Sequence, residues 1–216
     1  MDSESFMEVL TRLKKRYKLT KPLHIQPSDP FATLIGTILS HRTRDEKTDA
    51  AFSKLFKQYK TPEELARADV RSIERLIREV GFYRQKARRI KKVAQIIAFE
   101  LGGKVPRKRE ELMRLPGVGP KTADIVLSFA YGEPEIAVDT HVETVAKRLG
   151  VAPEDGDYEA VKKSLEELTP LWDRPLINTL FVLFGKEICR RPRPKCSRCP
   201  VNEFCAWYRR NRSGLG

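Results

Sequence analysis

Apolar residues recur at helical spacing along most of the chain. The first helix is predicted to run from a cap at Ser3 to about Tyr17, with a buried face formed by Phe6, Leu10, Leu13 and Tyr17. Asp29-Pro30 predicts the start of a second helix, and residues 31–39 are apolar nearly all round, which is typical of a buried central helix. We find no alternating strand pattern of useful length, so the sequence predicts an all-α fold.

Glycine- and proline-containing breaks separate the remaining helical segments. Leu19–Ser28 predicts a linker, and Ser40–Asp45 and Gly81–Tyr83 predict two sharp breaks between helices. Between these breaks, Asp69 is predicted to cap a helix that ends near Val80. Further helices are predicted at about 84–101, 121–130, 140–149, 158–168 and 175–188.

The excess of positive charge indicates a polyanionic partner. Lys and Arg outnumber Asp and Glu by 42 to 29 among 216 residues, which gives a net charge of +13. Such cations gain affinity for nucleic acid by releasing its condensed counterions. The surface of a thermophilic protein would explain many charges of both signs and the scarcity of Asn and Gln, but it would not explain the excess. We therefore expect nucleic acid as the partner.

The apolar stretches and the N-terminus indicate the compartment. The best apolar stretch, Ile177–Gly185, is far too short to cross a bilayer, and Met1–Glu4 lacks the basic start of a signal peptide. We therefore expect an intracellular, soluble protein with no membrane partner. We also expect a monomer. Cysteines in such a compartment are usually thiols or metal ligands rather than disulfides.

All four cysteines fall in one short window near the C-terminus. Their spacing is C-x6-C-x2-C-x5-C, formed by Cys189, Cys196, Cys199 and Cys205. Four thiolates this close can surround a zinc ion or a [4Fe–4S] cluster, and the spacing alone leaves both open. The same loop is strongly basic, with cations at Arg190, Arg191, Arg193, Lys195 and Arg198. These charges predict a contact with phosphates, or they offset the negative charge of an iron–sulfur site.

A tight glycine turn lies between two amphipathic segments and reads Leu115-Pro116-Gly117-Val118-Gly119-Pro120-Lys121. Glycine tolerates positive φ and leaves no side chain in the way of a close partner, and the amides of such a turn can hold a phosphate. No strand precedes the turn and the Walker spacing is absent, so it predicts a helix-hairpin-helix contact with a DNA backbone rather than a nucleotide-binding loop. Lys121 and Asp139, eighteen residues later, could form one reaction centre.

Three motifs in this order resemble endonuclease III, of the helix-hairpin-helix DNA glycosylase superfamily. They are the segment 115–123, the segment Val138-Asp139-Thr140-His141-Val142 and the cysteine pattern, and the resemblance extends from Phe31 to Cys205. It implies excision of oxidised pyrimidines followed by cleavage at the abasic site, and it favours a [4Fe–4S] cluster over zinc. It also implies two helical domains with a DNA cleft between them. These would be a six-helix domain at 28–134 and an iron–sulfur domain formed by 1–27 and 135–216.

The resemblance assigns the chemistry to two residues. Lys121 matches the family's nucleophile, whose neutral amine attacks C1′, expels the base and forms a Schiff base from which β-elimination breaks the 3′ phosphodiester. A surface lysine in solvent is the alternative interpretation. Asp139 matches the family's carboxylate, which could accept a proton or stabilise positive charge on the sugar. Asp139 could equally cap the helix that follows it, and it could do both.

The resemblance also assigns the DNA contacts. Gly117, Val118 and Gly119 would hold a phosphate, with a monovalent cation bound by hairpin carbonyls, although Pro120 replaces a residue that is often basic. Because the nucleotide must be flipped, Arg42 is expected to plug the gap, where many relatives have glutamine, and Phe82 to wedge the duplex open. Phe82 could instead be a core aromatic. His141 is either a DNA contact or a structural histidine, and Arg191 and Arg193 are expected to meet phosphates. The unusual His41 has no assigned role.

Three other functions remain open from the sequence. A monofunctional mismatch glycosylase generally lacks the lysine at position 121, although Arg42 and His41 leave a mismatch side-activity open. A non-catalytic DNA binder would use the hairpin and the basic cysteine loop without cutting. A purely redox role is disfavoured because the close cysteine triplet of ferredoxins is absent.

Overall fold

The computed structural model describes residues 1–19 and 29–211. Throughout these residues every regular element is a helix and none is a strand, which confirms the all-α prediction. Apart from Leu19, the predicted linker Leu19–Ser28 lies outside the described residues. Over the same described ranges, no helix combines the length and apolarity that a membrane span requires.

The described residues form twelve α-helices. In order they are α1 (Ser3–Tyr17), α2 (Pro30–Ser40), α3 (Asp45–Gln58), α4 (Pro62–Arg67), α5 (Val70–Leu76), α6 (Tyr83–Gln95), α7 (Arg109–Met113), α8 (Pro120–Ile125), α9 (Thr140–Leu149), α10 (Tyr158–Leu168), α11 (Arg174–Glu187) and α12 (Ala206–Asn211). Turns of π-helix, Ile96–Glu100 and Val126–Ala130, continue α6 and α8. The chain divides into two compact units, Met1–Ile25 with Glu133–Gly216, and Gln26–Gly132.

Several helix ends follow from local capping, with three differences from the sequence prediction. Asp29 caps α2 as predicted, because its carboxylate accepts hydrogen bonds from the N–H groups of Phe31 (2.7 Å) and Ala32 (3.1 Å). The cap of α1 is Asp2 rather than Ser3, since the Asp2 carboxylate reaches the third amide of the helix. The helix capped by Asp69 ends at Leu76 instead of about Val80, and α12 was not predicted at all.

The unit Gln26–Gly132 is built around α2. Four of its apolar side chains are fully buried, and they are Leu34, Ile35, Ile38 and Leu39. Each buried side chain of this size contributes about 1.5–3 kcal/mol relative to an exposed one. The prediction of a central buried helix is therefore confirmed, and the C-terminal end of α2 is held firmly where the chain breaks at Ser40.

The other unit packs α11 against α9 and α1. Its core contains the fully buried aromatic side chains Phe6, Phe181 and Phe184. The ammonium of Lys14 donates to the Asp173 carboxylate at 2.6 Å, which ties α1 to the turn before α11. This packing fixes α9, whose first turn follows Asp139.

Candidate active site and nucleic-acid interface

The predicted hairpin is present, formed by α7, the turn 114–119 and α8. Its two helices are joined by an ion pair in which Nε of Arg109 lies 2.9 Å from Oδ1 of Asp124. The Asp124 side chain is completely buried, and this ion pair offsets part of its desolvation. Lys121 is the second residue of α8 and is held in place by this arrangement.

The two glycines of the hairpin differ in their conformation. Gly117 has a φ of +77°, and a Cβ there would lie 2.2 Å from Cδ of Arg89. Gly119 has an extended φ of −104° and open space where a Cβ would stand. Positive φ, the first reason given for glycine in this turn, therefore applies to Gly117 and not to Gly119.

The amides of the hairpin are unequally engaged. The N–H of Val118 donates to the Leu115 carbonyl at 3.1 Å, and the Val118 side chain is buried. Within the described residues, the N–H groups of Gly117 and Gly119 have no hydrogen-bond partner. The free donors of the turn therefore belong to the glycines on either side of Val118.

A solvent-open cavity in the unit Gln26–Gly132 brings Lys121 together with residues of both predicted breaks. Its lining consists of His41, Arg42, Phe82, Gln85, Lys86, Arg89 and Lys121. Lys121 is half-buried, and it makes no hydrogen bond or ion pair with any described residue. The cavity is cationic, so it favours an anionic ligand over a cationic one.

His41 has a structural partner that the sequence did not indicate. Its Nε2 lies 3.1 Å from the hydroxyl of Thr122, next to Lys121. Burial lowers the pKa of His41 from its usual value, and the nearby charges of Lys121, Lys86 and Arg89 lower it further. The imidazole is therefore neutral at neutral pH.

Arg42 and Phe82 both stand at strained and exposed positions. Their φ values are +51° and +57°, in the left-handed region that non-glycine residues avoid. The Phe82 ring is 61% exposed, so it is not the core aromatic that the alternative interpretation required. An exposed aromatic and an exposed arginine beside one cavity provide groups that can stack on bases.

Asp139 caps α9, as one of the two sequence interpretations proposed. Its Oδ1 accepts from the N–H groups of His141 (2.9 Å) and Val142 (2.8 Å), whereas Oδ2 has no partner among the described residues. The preceding segment is anchored as well: Asn178 donates to the carbonyl of residue 137 at 2.8 Å, and the N–H of residue 138 donates to the Tyr158 hydroxyl oxygen at 3.2 Å. Neither anchor was visible in the sequence, because both come from distant helices.

A second, basic cavity lies beside the first turn of α9. It is lined by Thr140, His141, Thr144, Gly185, Lys186, Cys189, Arg190 and Arg191. The His141 ring packs against Gly185, where a Cβ would lie 2.6 Å from Nδ1. Arg191 donates to the Thr144 hydroxyl at 2.5 Å and to the Thr140 carbonyl at 3.2 Å, and Arg193 is exposed.

The four cysteines line a single cavity bounded by α9, α11 and α12. Burial raises the pKa of each of the four thiols, in the case of Cys199 to about 12. Thiols in such surroundings become thiolates when a bound metal supplies compensating charge. The described part of the chain places no three His, Cys, Asp or Glu side chains so that they could hold one metal ion. A [4Fe–4S] cluster does not require several side chains to converge on one metal ion, because each iron is bound by one cysteine.

Arg148 of α9 is a further residue of the cysteine site, and its role was not apparent from the sequence. Its guanidinium donates to the carbonyl oxygens of Cys189 and Arg190, both at 3.1 Å, and to Sγ of Cys189 at 3.4 Å. It also lies over the ring of Trp207 at 5.2 Å. A cation here favours negatively charged sulfur.

The chain is similar to proteins of known activity over almost its whole length. Residues 35–171 match the HhH-GPD superfamily base excision DNA repair protein family. The chain is 44% identical to endonuclease III of Thermotoga maritima over 218 aligned residues, covering 99% of this chain and 96% of that protein.

Two solved structures share the fold. The first is a trapped covalent intermediate of an endonuclease III with DNA, with a TM-score of 0.89, 34% identity and coverage of 98% of this chain and 99% of that one. The second is a thermostable thymine-DNA glycosylase, with a TM-score of 0.86, 27% identity and coverage of 96% and 97%. On this similarity of sequence and fold, the chain belongs to the endonuclease III family of the HhH-GPD superfamily of base-excision DNA repair proteins.

Proposed function

We propose that this chain removes oxidised pyrimidines from double-stranded DNA and then nicks the strand 3′ of the resulting abasic site. Membership of the family makes it a base-excision glycosylase and lyase. The observation that carries the proposal is the position of Lys121 in the first turn of α8, where its amine lines an open cationic cavity without a partner among the described residues.

Lys121 is the proposed nucleophile. Its neutral amine attacks C1′ of the flipped nucleotide, the bond from C1′ to the base breaks, and the base leaves with the bonding electrons. The nitrogen loses a proton, which the departing base takes up. The C1′–O4′ bond then breaks, O4′ takes up a proton from water, and the nitrogen lone pair forms a protonated Schiff base at C1′. Removal of a 2′ proton then expels the 3′ phosphate by β-elimination. Lysine suits this sequence because an amine forms iminium links.

Asp139 is the proposed carboxylate partner of that chemistry. Its Oδ1 is committed to the first amides of α9, which leaves Oδ2 to accept a proton from the amine or to stabilise positive charge on the sugar. The two amide hydrogen bonds hold the orientation of the carboxylate. The cap and the catalytic group are then the same side chain.

The DNA contacts that we propose fall into two groups. The free amides of Gly117 and Gly119, together with His141, Arg191 and Arg193, would contact phosphates, and these contacts position the duplex without reading its sequence. Arg42 would fill the gap left by the flipped nucleotide, and Phe82 would wedge the base stack apart. The monovalent cation at the hairpin and the cleft between domains stay predictions.

We propose that Cys189, Cys196, Cys199 and Cys205 hold a [4Fe–4S] cluster. The support is the single cavity that all four line and the arginine that donates to one of the sulfurs. When bound, the cluster would fix the shape of the basic loop 190–198. The chemistry at C1′ is carried by Lys121 and Asp139 and needs no electron from it.

Borohydride trapping on a duplex that contains thymine glycol tests the proposed function. The wild-type protein is expected to form a covalent adduct, and Lys121→Ala is expected to form none while still binding the duplex. Lys108→Ala serves as the matched control, because it removes an exposed lysine at the start of α7 and should leave the adduct intact. Absence of an adduct with the wild type, or an adduct with Lys121→Ala, would refute the proposal.

A second substrate in the same assay addresses mismatch activity. Arg42 would favour guanine as the orphaned base, because guanine presents acceptors at O6 and N7. The similarity to a thymine-DNA glycosylase also supports testing for excision of thymine opposite guanine. We therefore include a duplex with thymine opposite guanine, and expect slower excision there than for thymine glycol.

A further inference from the structure

Two turns that carry Arg42 and Phe82 are in direct contact. A Cβ at Gly81 would lie 2.9 Å from the carbonyl oxygen of Arg42, so only glycine lets the two backbones approach this closely. The N–H of Gly81 donates to the Thr43 hydroxyl at 3.1 Å. The turn that follows α2 and the turn that precedes α6 therefore form one unit.

A buried lysine completes this contact. Lys86 is 3% exposed, and its ammonium donates to the carbonyl oxygens of Leu39 (2.7 Å) and His41 (2.6 Å) and to the Thr43 hydroxyl (2.9 Å). All three ammonium hydrogens thus have an acceptor, which offsets the cost of burying the charge. The carbonyls lie at the C-terminal end of α2, where acceptors lack partners in the helix and a cation is favoured.

The same lysine also holds the second turn. Its backbone N–H donates to the Phe82 carbonyl at 3.0 Å, because Phe82 caps α6. Lys86 is therefore bonded to Phe82 through its main chain and to the turn containing Arg42 through its side chain. Burial, with a smaller effect of Arg89, lowers the pKa of Lys86 to about 8, so its cation persists at neutral pH. Backbones at positive φ persist only where such surroundings hold them.

We propose that Lys86, acting through Thr43, is a positioning residue that holds Arg42 and Phe82 as one rigid pair for flipping the damaged nucleotide. This inference rests on the proposed function, since it takes Arg42 as the plug and Phe82 as the wedge. Lys86 is buried and its ammonium is bonded to three protein acceptors, so we assign it no contact with the DNA. Release of a paired base then depends on Lys86, whereas cleavage at a preformed abasic site does not, because no base remains to be unstacked.

Single-turnover assays on two duplexes separate these steps. Lys86→Met keeps the aliphatic stem and removes the ammonium. We expect it to slow release of thymine glycol about 10-fold or more and to slow cleavage of a preformed abasic site by less than about 3-fold, since flipping limits only the first reaction. Equal losses on both duplexes would overturn the proposal.

Lys91→Met is the matched control, because Lys91 lies on the same helix and its ammonium also donates to a backbone carbonyl, that of Ala68 at 2.8 Å. It should change neither rate by more than about 2-fold, as expected of a site away from the turns. Residues that act as a unit give non-additive effects, so Lys86→Met should add little in an Arg42→Ala background. Losses that multiply in the double variant, or a Lys86→Met that behaves like Lys91→Met, would contradict the inference.

Thr43 provides a second route if Lys86→Met fails to fold. Thr43→Val removes the hydroxyl that Lys86 and Gly81 share and should reproduce the selective loss of base release, whereas Thr43→Ser retains the hydroxyl and should restore that step. Hydrogen exchange of the Gly81 amide should be faster in Thr43→Val than in Thr43→Ser, and equal exchange would refute the contact. Because exchange needs no DNA, it judges this inference separately from borohydride trapping, which judges the proposed function.

Discussion

The imidazole Nε2 of His41 lies 3.1 Å from the hydroxyl of Thr122, the residue that follows the proposed nucleophile Lys121. This contact links the end of α2 to the first turn of α8. Three cations, Lys121, Lys86 and Arg89, lower the pKa of the imidazole in addition to the larger effect of burial. The neutral imidazole of His41 therefore helps to hold Lys121 in position.

The pH dependence of stability should reveal this histidine. Well above about pH 6.5, the imidazole is neutral in both the folded and the unfolded state. It then leaves the free energy of unfolding unchanged as the pH varies. As the pH falls towards the lower pKa of the folded state, the unfolded chain binds the proton more readily, so the free energy of unfolding falls by up to about 1.4 kcal/mol per pH unit. Urea titrations between about pH 7 and 5 should show a flatter dependence for His41→Gln, and an unchanged slope would contradict the assignment.

Substitutions of Asp139 should separate its cap from its chemistry. Asparagine caps a helix as well as aspartate does, so Asp139→Asn should unfold within about 0.5 kcal/mol of wild type, whereas Asp139→Ala should lose about 1 kcal/mol. Both should slow base release about 100-fold or more, because neither can accept a proton. Urea unfolding and single-turnover excision measure the two effects. Full activity of Asp139→Asn would show that Asp139 caps the helix and has no catalytic role.

The hairpin glycines should respond differently to alanine. Gly117→Ala places a side chain at positive φ and against Arg89, and should cost about 1–2 kcal/mol or more in unfolding free energy. Gly119→Ala meets no protein atom within 4 Å and should change stability by less than about 0.5 kcal/mol. Its effect should appear in fluorescence-anisotropy titrations as weaker binding of DNA. If Gly119→Ala bound DNA with wild-type affinity, the phosphate would not contact the hairpin at Gly119.

Removing one partner of the buried ion pair in the hairpin should destabilise the fold, whereas replacing both partners with apolar residues should be tolerated. Arg109→Met leaves the Asp124 carboxylate buried without its arginine and should cost about 3–5 kcal/mol. The double variant Arg109→Met/Asp124→Leu should recover most of that loss, because two apolar groups can pack where the pair stood. Thermal and urea unfolding report both values. A double variant no more stable than Arg109→Met would show that the pair does more than satisfy its own charges.

Metal analysis should decide between the two metals that the cysteine spacing left open. The purified protein should be brown and contain about four irons and four sulfides per chain, as expected for a cluster ligated by four cysteines. Cys199→Ser should lower the iron content and loosen the loop 190–198, which limited proteolysis detects. A colourless protein with one zinc per chain would refute the iron assignment.

What the sequence could predict was local. Asp29 before Pro30 and Asp139 before Thr140 indicate helix starts, because a carboxylate reaches only the amides that follow it. The glycine turn and the four cysteines were likewise visible as short patterns. Each of these signals lies within a few residues of the feature it determines.

What the sequence could not predict was the long-range polar pairing that holds the site. Lys86 reads as one cation of a basic helix, yet its ammonium is buried against residues more than forty positions earlier. Asn178 and Arg148 bond to carbonyl groups that are equally distant in the chain. Periodicity cannot identify such partners, because they depend on how the helices pack.

The left-handed backbones of Arg42 and Phe82 have a consequence for engineering. A search for thermostable variants would select glycine or asparagine at these two positions, since either relieves the strain. The melting temperature would rise while the arginine and the aromatic ring were lost together. Screens that score heat resistance alone would therefore enrich proteins that lack the residues we propose as plug and wedge.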